Sequence, residues 1–299
     1  MTEPLAWING TLKPFSQTAV PVWDLGLVAG AAVTEMARTY RHEPFRLSRH
    51  VERFVGSLEA LGFPQPWTSA ELTDAATSVV RRNVAQIGDS ADLGIVLFST
   101  AGSNATYLSG ISNQTTTVVH TFQLPFHLWR SGLLHGVRLR IPQMCQIPEC
   151  CFPVSHKVRN RLHWWLADQE VSRIEPGSKA LLLDCDGFVT ETSTSCFFVV
   201  HDGKVATSNR GVLKSLSGQI VEELATSLNI PFERRPIPAT ELDNADEAFV
   251  SSTPVGLLPV SHINGRQVGM RDSQSIYLQL ALAWNSLTGI DSARQILQT

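Results

Sequence analysis

Lys157, Glu191 and the Ser217-Gly218 pair are the residues of this chain whose types and surroundings point most directly to chemistry. Lys157 lies in VSHKVRNRLHW, just ahead of an amphipathic run. An apolar neighbourhood penalises an ammonium group and favours the neutral amine that attacks carbonyl carbon. Glu191 follows the apolar stretch ALLLDCDGFVTE and precedes TSTSCFF. A carboxylate in such surroundings needs a cationic partner. Ser217 and Gly218 open LSGQIVEEL, and backbone N–H groups at a helix start bind phosphate well. Taken singly, each has an ordinary reading: a surface charge, a structural acid, a helix cap. Other catalytic patterns are missing: the chain has no G-x-S-x-G, H-E-x-x-H, P-loop or G-x-G-x-x-G. The run from Cys145 through Cys150 and Cys151 to His156 does not match zinc-ligand spacing, so no metal is expected.

These residues need elements to position them. WINGTLKP opens the chain with Asn9-Gly10, a tight hairpin turn. VPVWDLGLVAGAAVTEMARTY looks like strands joined by glycine turns. LSRHVERFVGSLEALGFP is a helix with Val51, Val55, Leu58 and Leu61 on its apolar face, Ser48 as cap, and Gly62 and Pro64 as stop. TSAELTDAATSVVRRNVAQIG is a second helix, capped by Thr68 or Ser69, and two strands follow. This predicts an α+β domain over residues 1–122, a linker over 123–135 around PFHLWRSGLLHG, and a larger domain over 136–299. In the larger part VRNRLHWWLADQEVSRI reads as a helix with Leu162, Trp165, Leu166 and Val171 mostly on its apolar side. Asp-Gly pairs at 186–187 and 202–203 mark hairpins. SGQIVEELATSLNI is a helix facing inward through Ile220, Leu224 and Leu228, EAFVSS and GLLPVSHI are strands, and a last helix covers about 272–286.

The bulk properties narrow the field. The chain of 299 residues is long enough for two domains, and 43% hydrophobic with 17% charged residues is an ordinary globular balance. The formal net charge of −3, without a basic run, argues against a nucleic-acid partner. The first residues lack the pattern of a secretory signal, and no apolar stretch is long enough to span a bilayer. Five cysteines, an odd number with two adjacent, fit reduced thiols in the cytoplasm.

Taken together, a lysine amine, a carboxylate that can hold a ring nitrogen protonated and a phosphate cradle are the groups a protein must supply to pyridoxal 5′-phosphate. The sequence resembles the fold-type IV pyridoxal-phosphate enzymes, which include branched-chain and D-amino-acid aminotransferases and aminodeoxychorismate lyase. The likeness runs in order along almost the whole chain, through WINGTLKP, VWDLGLVAGAAVTEMAR, FRLSRHVERF, HKVRNRL, DCDGFVTETSTSCFF, LKSLSGQIVEEL and ADEAFVSSTPVGLLPVSHINGRQVG. The resemblance implies a smaller α+β domain, a larger domain with a barrel-like sheet, and a homodimer. It places phosphate binding on Arg53, the Schiff base on Lys157 and the ring-nitrogen contact on Glu191. It places a ring contact on Leu216 and phosphate contacts at the helix start around Gly218, through the Gln219 and Ile220 amides, and at Ser252 and Thr253. The reaction implied is transamination between a small amino acid and a keto acid, with freed Lys157 as the proton carrier.

Some positions depart from the family pattern. No tyrosine follows Lys157 closely, Pro254 lacks a backbone N–H, LGIVLFSTAG contains no arginine, and Cys196 replaces a frequent asparagine. Met36 aligns where the lyases use threonine, whereas Glu35 is similar to the transaminases. Arg38, Arg130 and Arg138 are candidates for the substrate carboxylate, and a simple amine would need none of them. Lyase chemistry and a non-catalytic cofactor-binding scaffold stand as the alternatives to transamination.

Overall fold

The computed structural model describes residues 3–107, 114–269 and 275–298. The chain forms two compact units, Met1–Leu124 with His156–Asn160, and Pro125–Ser155 with Arg161–Thr299.

The first unit is built on a six-stranded sheet in the order β2-β1-β6-β5-β3-β4. β1 (Leu5–Ile8) and β2 (Thr11–Pro14) are joined by Asn9 and Gly10, with φ of 45° and 87°. Two consecutive positive φ values are what a two-residue hairpin of the right twist requires, and asparagine and glycine tolerate them best. Then come α1 (Leu25–Val28), β3 (Ala32–Tyr40), β4 (Glu43–Pro44), α2 (Leu47–Ala60), α3 (Ser69–Asn83), β5 (Leu93–Thr100) and β6 (Thr117–Gln123). α3 starts with a capping box in which Thr68 and Glu71 satisfy each other's backbone amides. α2 does not start at the expected cap. Ser48 lies inside the helix, and the chain enters through Arg46 in the left-handed region, with no side-chain cap. Val33, Ala37, Ile95, Leu97 and Val119 of the sheet pack against Val51, Phe54, Leu58, Ala76 and Val79 of α2 and α3. Strand alternation therefore sends Thr34, Met36, Phe98 and His120 to the opposite face.

His156–Asn160 returns from the second half of the sequence to this sheet. The Thr34 amide donates to the Lys157 carbonyl and the Arg159 amide to the Ala32 carbonyl, both at 2.8 Å. Val158 bridges Val33 and packs on the same core. Residues 157–159 are thus extended, so the helix expected over this whole run begins only at Leu162.

The second unit begins with a short 3-10 turn and α4 (Arg130–His135), both too short to show a period in the sequence. Its strands are β7 (Val137–Arg140), β8 (Lys179–Leu183), β9 (Val189–Thr192), β10 (Cys196–His201), β11 (Lys204–Thr207), β12 (Phe232–Arg234), β13 (Glu247–Ser252), β14 (Gly256–Ile263) and β15 (Arg266–Gln267). They lie in the order β12-β11-β10-β13-β14-β7-β8-β9, with β15 on β14. In a flat sheet β9 and β10 would stand about 24 Å apart, five strand spacings. The link from Thr192 to Cys196 reaches at most about 14 Å. The sheet must therefore curl, which produces the barrel-like form expected of the larger domain. Phe198 and Phe249, stacked at 4.8 Å, lie in its core.

Around this sheet are α5 (Leu162–Ile174), α6 (Leu216–Ser227), α7 (Ile276–Thr288) and α8 (Ser292–Gln298). α5 turns a different face inward from the one its sequence suggested. Trp164, Ala167 and Val171 pack on Ala180 and Leu182, while Leu162 and Trp165 are 62% and 58% exposed. The helix is apolar on both sides, so hydrophobicity alone did not choose between them. In α6, Ile220 and Leu224 are buried as expected, but Leu228 sits at the C-cap and is exposed. Residues 272–274 of the expected last helix lie outside the described residues; α7 starts after Ser275, which caps it. Among the described residues, no helix is long and apolar enough to cross a membrane.

Candidate active site

In the first unit, the site residues gather on β3 and α2. Glu35 is fully buried and accepts from Arg53 twice, Nε to Oε2 and Nη2 to Oε1, both at 2.7 Å. His50 Nδ1 lies 3.1 Å from Glu35 Oε1. His50 and Arg53 are one turn apart on α2, so one helix face brings both to the same carboxylate. Burial opposes ionisation of Glu35, but the Arg53 charge and the hydrogen bonds from His50 and Arg53 outweigh it and hold the carboxyl well below the usual range. Burial pushes His50 down, against the hydrogen bond and charge of Glu35, and the charges of Arg53 and Lys157 push the same way as burial. The ring is then neutral, and its Nδ1–H donates to an acceptor-only carboxylate. Lys157 is half-buried and clamped beside β3 one residue from Glu35's position, through the Thr34 amide.

In the second unit, Ser215 caps α6 by accepting from the Gly218 amide at 3.0 Å. Its hydroxyl meets Ser217 Oγ at 3.0 Å, and Ser217 Oγ meets Ser251 Oγ at 3.0 Å. Ser217, Ser251 and Ser252 are buried, and Thr253 follows in the turn between β13 and β14. A side chain at Gly218 would press on Ser215 and on Cys196 Sγ, at 3.3 and 3.4 Å. Burial pushes the Cys196 thiol up to about 12, so it is a packing group and not a nucleophile. Glu191 Oε1 accepts from the Leu213 amide at 3.2 Å. Arg161 lies in the field of Glu191; burial pulls its pKa down and the Glu191 charge pushes it back up. Arg161 also donates to the Ser193 carbonyl.

These contacts correct two sequence expectations. The Gln219 amide is not available to an anion, because it donates to the Ser215 carbonyl at 3.1 Å. Ile220 lies a full turn inside α6, where amides serve the helix itself. The amides at the open end are those of Leu216 and Ser217. The neighbour of Glu191 is Leu213, three residues before Leu216, which is buried in the helix. Sequence reasoning also missed Arg161 as the cation near Glu191, although its position four residues after Lys157 was a signal available then.

Among the substrate arginines, Arg38 is 1% exposed, pairs with Asp92 at 3.4 Å and lies 3.8 Å over Tyr40. Arg138 pairs with Glu175. Among the described residues, no three metal-ligating side chains gather at one point.

Residues 32–263 match the family of amino-transferases of class IV. This chain is a class IV aminotransferase. The class IV match spans both units and every site residue described above. Curated relatives agree. A probable branched-chain-amino-acid aminotransferase of Thermotoga maritima is 28% identical over 262 residues, 87% of each chain. A D-alanine aminotransferase of Staphylococcus haemolyticus is 26% identical over 265 residues, 88% of this chain and 90% of that one. The branched-chain amino acid aminotransferase of T.th., complexed with N-(5′-phosphopyridoxyl)-L-glutamate, superposes with a TM-score of 0.84 at 27% identity, covering 97% of this chain and 95% of that one. Class IV aminotransferases depend on pyridoxal phosphate, and their substrates are small amino and keto acids.

Proposed function

We propose that this aminotransferase moves an amino group between a small amino acid, branched-chain-like or D-configured, and a keto acid, with Lys157 as the reactive amine. The observation that carries this is the seat of Lys157: an extended segment brought back onto β3 and fixed by two 2.8 Å backbone bonds. Nothing in the local sequence requires that return, and it pairs Lys157 with β3, the strand that carries Glu35.

The residues present suit pyridoxal 5′-phosphate. The start of α6 offers amides and serine hydroxyls around a glycine with little spare room, a donor set made for a phosphate. When bound, the cofactor supplies an aldehyde for the amine and a ring that takes up the electron pair left at the substrate Cα. Lys157 would hold the cofactor through its amine and, as a free amine, would carry the proton removed from the substrate Cα. Glu191 would keep the ring nitrogen protonated, with the Leu213 amide holding the carboxylate in place. In the second unit the Leu216 and Ser217 amides, with Ser252 and Thr253, would hold a phosphate; in the first unit Arg53, whose plane Glu35 sets, is the phosphate-binding cation. The relatives described above are aminotransferases, which favours transamination over the lyase and scaffold readings. The five free thiols suit a cytoplasmic protein, and exposed Val22, Leu27 and Tyr107 suit association into a homodimer.

The test is borohydride reduction of the purified protein followed by peptide mapping. A visible absorption band that disappears, with the label on Lys157, is the expected result. A colourless protein that takes no label after incubation with pyridoxal phosphate would move the scaffold reading to first place.

A further inference from the structure

We propose that Arg159 receives the substrate's α-carboxylate, so that the substrate is an α-amino acid and not a simple amine. The inference rests on Lys157 being the amine that acts on the substrate.

Residues 157–159 form an extended segment along β3, and Val158 points into the helix-side core of the first unit. Alternation then sends Lys157 and Arg159 out together on the opposite face, with Cα atoms about 6.6 Å apart. The amine and carboxylate of an α-amino acid share one carbon, so the groups that hold them must stand side by side on one face. Lys157 and Arg159 do.

The direction of the Arg159 side chain strengthens the case. Its backbone pairs with Ala32, and Ala32 pairs with Thr100 on β5. Its guanidinium does not lie over that row. It sits 5.1 Å from the ring centroid of Phe98. Phe98 pairs with Thr34, the residue bonded to Lys157. The cation therefore leans by one strand repeat into the lysine's own row. A guanidinium laid over an aromatic ring keeps its N–H edge pointing sideways, where a carboxylate can accept two bonds. His120 borders the same place: its Nδ1 is buried without a hydrogen-bond partner, and burial, then the Arg159 charge, pushes its pKa down. It adds no second positive charge near neutral pH. Of the earlier candidates, Arg38 pairs with Asp92 and Arg138 with Glu175.

The experiment uses the holoenzyme. Arg159→Met keeps cover over Phe98 and removes the charge; Arg159→Gln, polar at an exposed position, stands in if the methionine variant does not fold. Two quantities are read: KM and kcat for an amino acid against its decarboxylated amine, and the calorimetric Kd of 4-methylvalerate. Loss of a charge-assisted contact should weaken carboxylate binding and raise the amino-acid KM about 10- to 100-fold. Discrimination against the amine should fall by the same factor, with kcat changed far less. Arg159→Lys should recover part of the loss. Unchanged Kd and KM in a variant that still labels at Lys157 would overturn the role of Arg159 alone. Absence of label in the wild-type protein would overturn the lysine assignment, and this inference with it.

Discussion

Glu35 carries no proton in the proposed reaction, yet it organises one side of the site. A fully buried carboxylate is costly unless its lone pairs are filled, and here Arg53 and His50 fill them. Removing it leaves the half-buried Arg53 guanidinium without this counter-charge. Glu35→Ala should cost about 3–5 kcal/mol, read from urea unfolding curves. Arg53→Ala should act first on cofactor retention, measured as absorbance lost on dialysis. A variant that keeps cofactor as firmly as the parent would remove Arg53 from the phosphate site. His163, 3.1 Å from Gln146 Oε1, gives a pH prediction. Burial, then the Arg161 charge, pulls its pKa from 6.5 to about 4. As pH falls from 6.5 the unfolded chain takes up this proton before the folded one, so stability present above pH 6.5 is lost progressively toward pH 4. His163→Gln should flatten that slope in chemical unfolding across the window. An identical slope would show that His163 does not carry it.

At the scale of elements, two helix starts do different work. The Thr68 box caps α3 with exposed groups and touches nothing that binds. Thr68→Ala should cost about 1 kcal/mol of stability and leave cofactor affinity alone. Ser215 caps α6 and also begins the hydroxyl chain through Ser217 to Ser251. Ser215→Ala should cost a similar amount, about 1 kcal/mol, and also weaken cofactor retention. The pair separates a cap from a cradle. These starts were also unequally legible. Thr68 with Glu71 three residues on is a local pattern, readable from a short window. The amides open at α6 depend on where the first i to i−4 bond forms. Ser215 sets that point, two residues ahead of the Ser217-Gly218 pair that the sequence singled out.

For the whole molecule, the decisive event is the return of His156–Asn160 to the first unit's sheet. It unites residues more than a hundred positions apart, Thr34 and Lys157, through one amide. The curled sheet of the second unit follows from the same kind of constraint, a short β9–β10 link between strands distant in the hydrogen-bonded order. The proposed homodimer has a direct check. Sedimentation equilibrium should give about twice the 32.8 kDa of one chain. A monomer mass at micromolar concentration would set that proposal aside.

What the sequence determined by itself was whatever short-range rules control. Asn9-Gly10 and Asp202-Gly203 specified turns, because few residues accept positive φ in succession. Strand alternation specified which side chains of β3 and β5 share a face, and the ordered motifs around Arg53, Lys157 and Glu191 specified the family. Tertiary structure alone decided the rest. It chose the inward face of α5, because both faces were apolar and only the position of Ala180 and Leu182 could break the tie. It placed Leu213 at Glu191 and Arg161 in its field, because a carboxylate's neighbours come from separate loops. It turned Arg159 toward Phe98, because a long cationic side chain has no preferred direction until an aromatic ring lies within its reach.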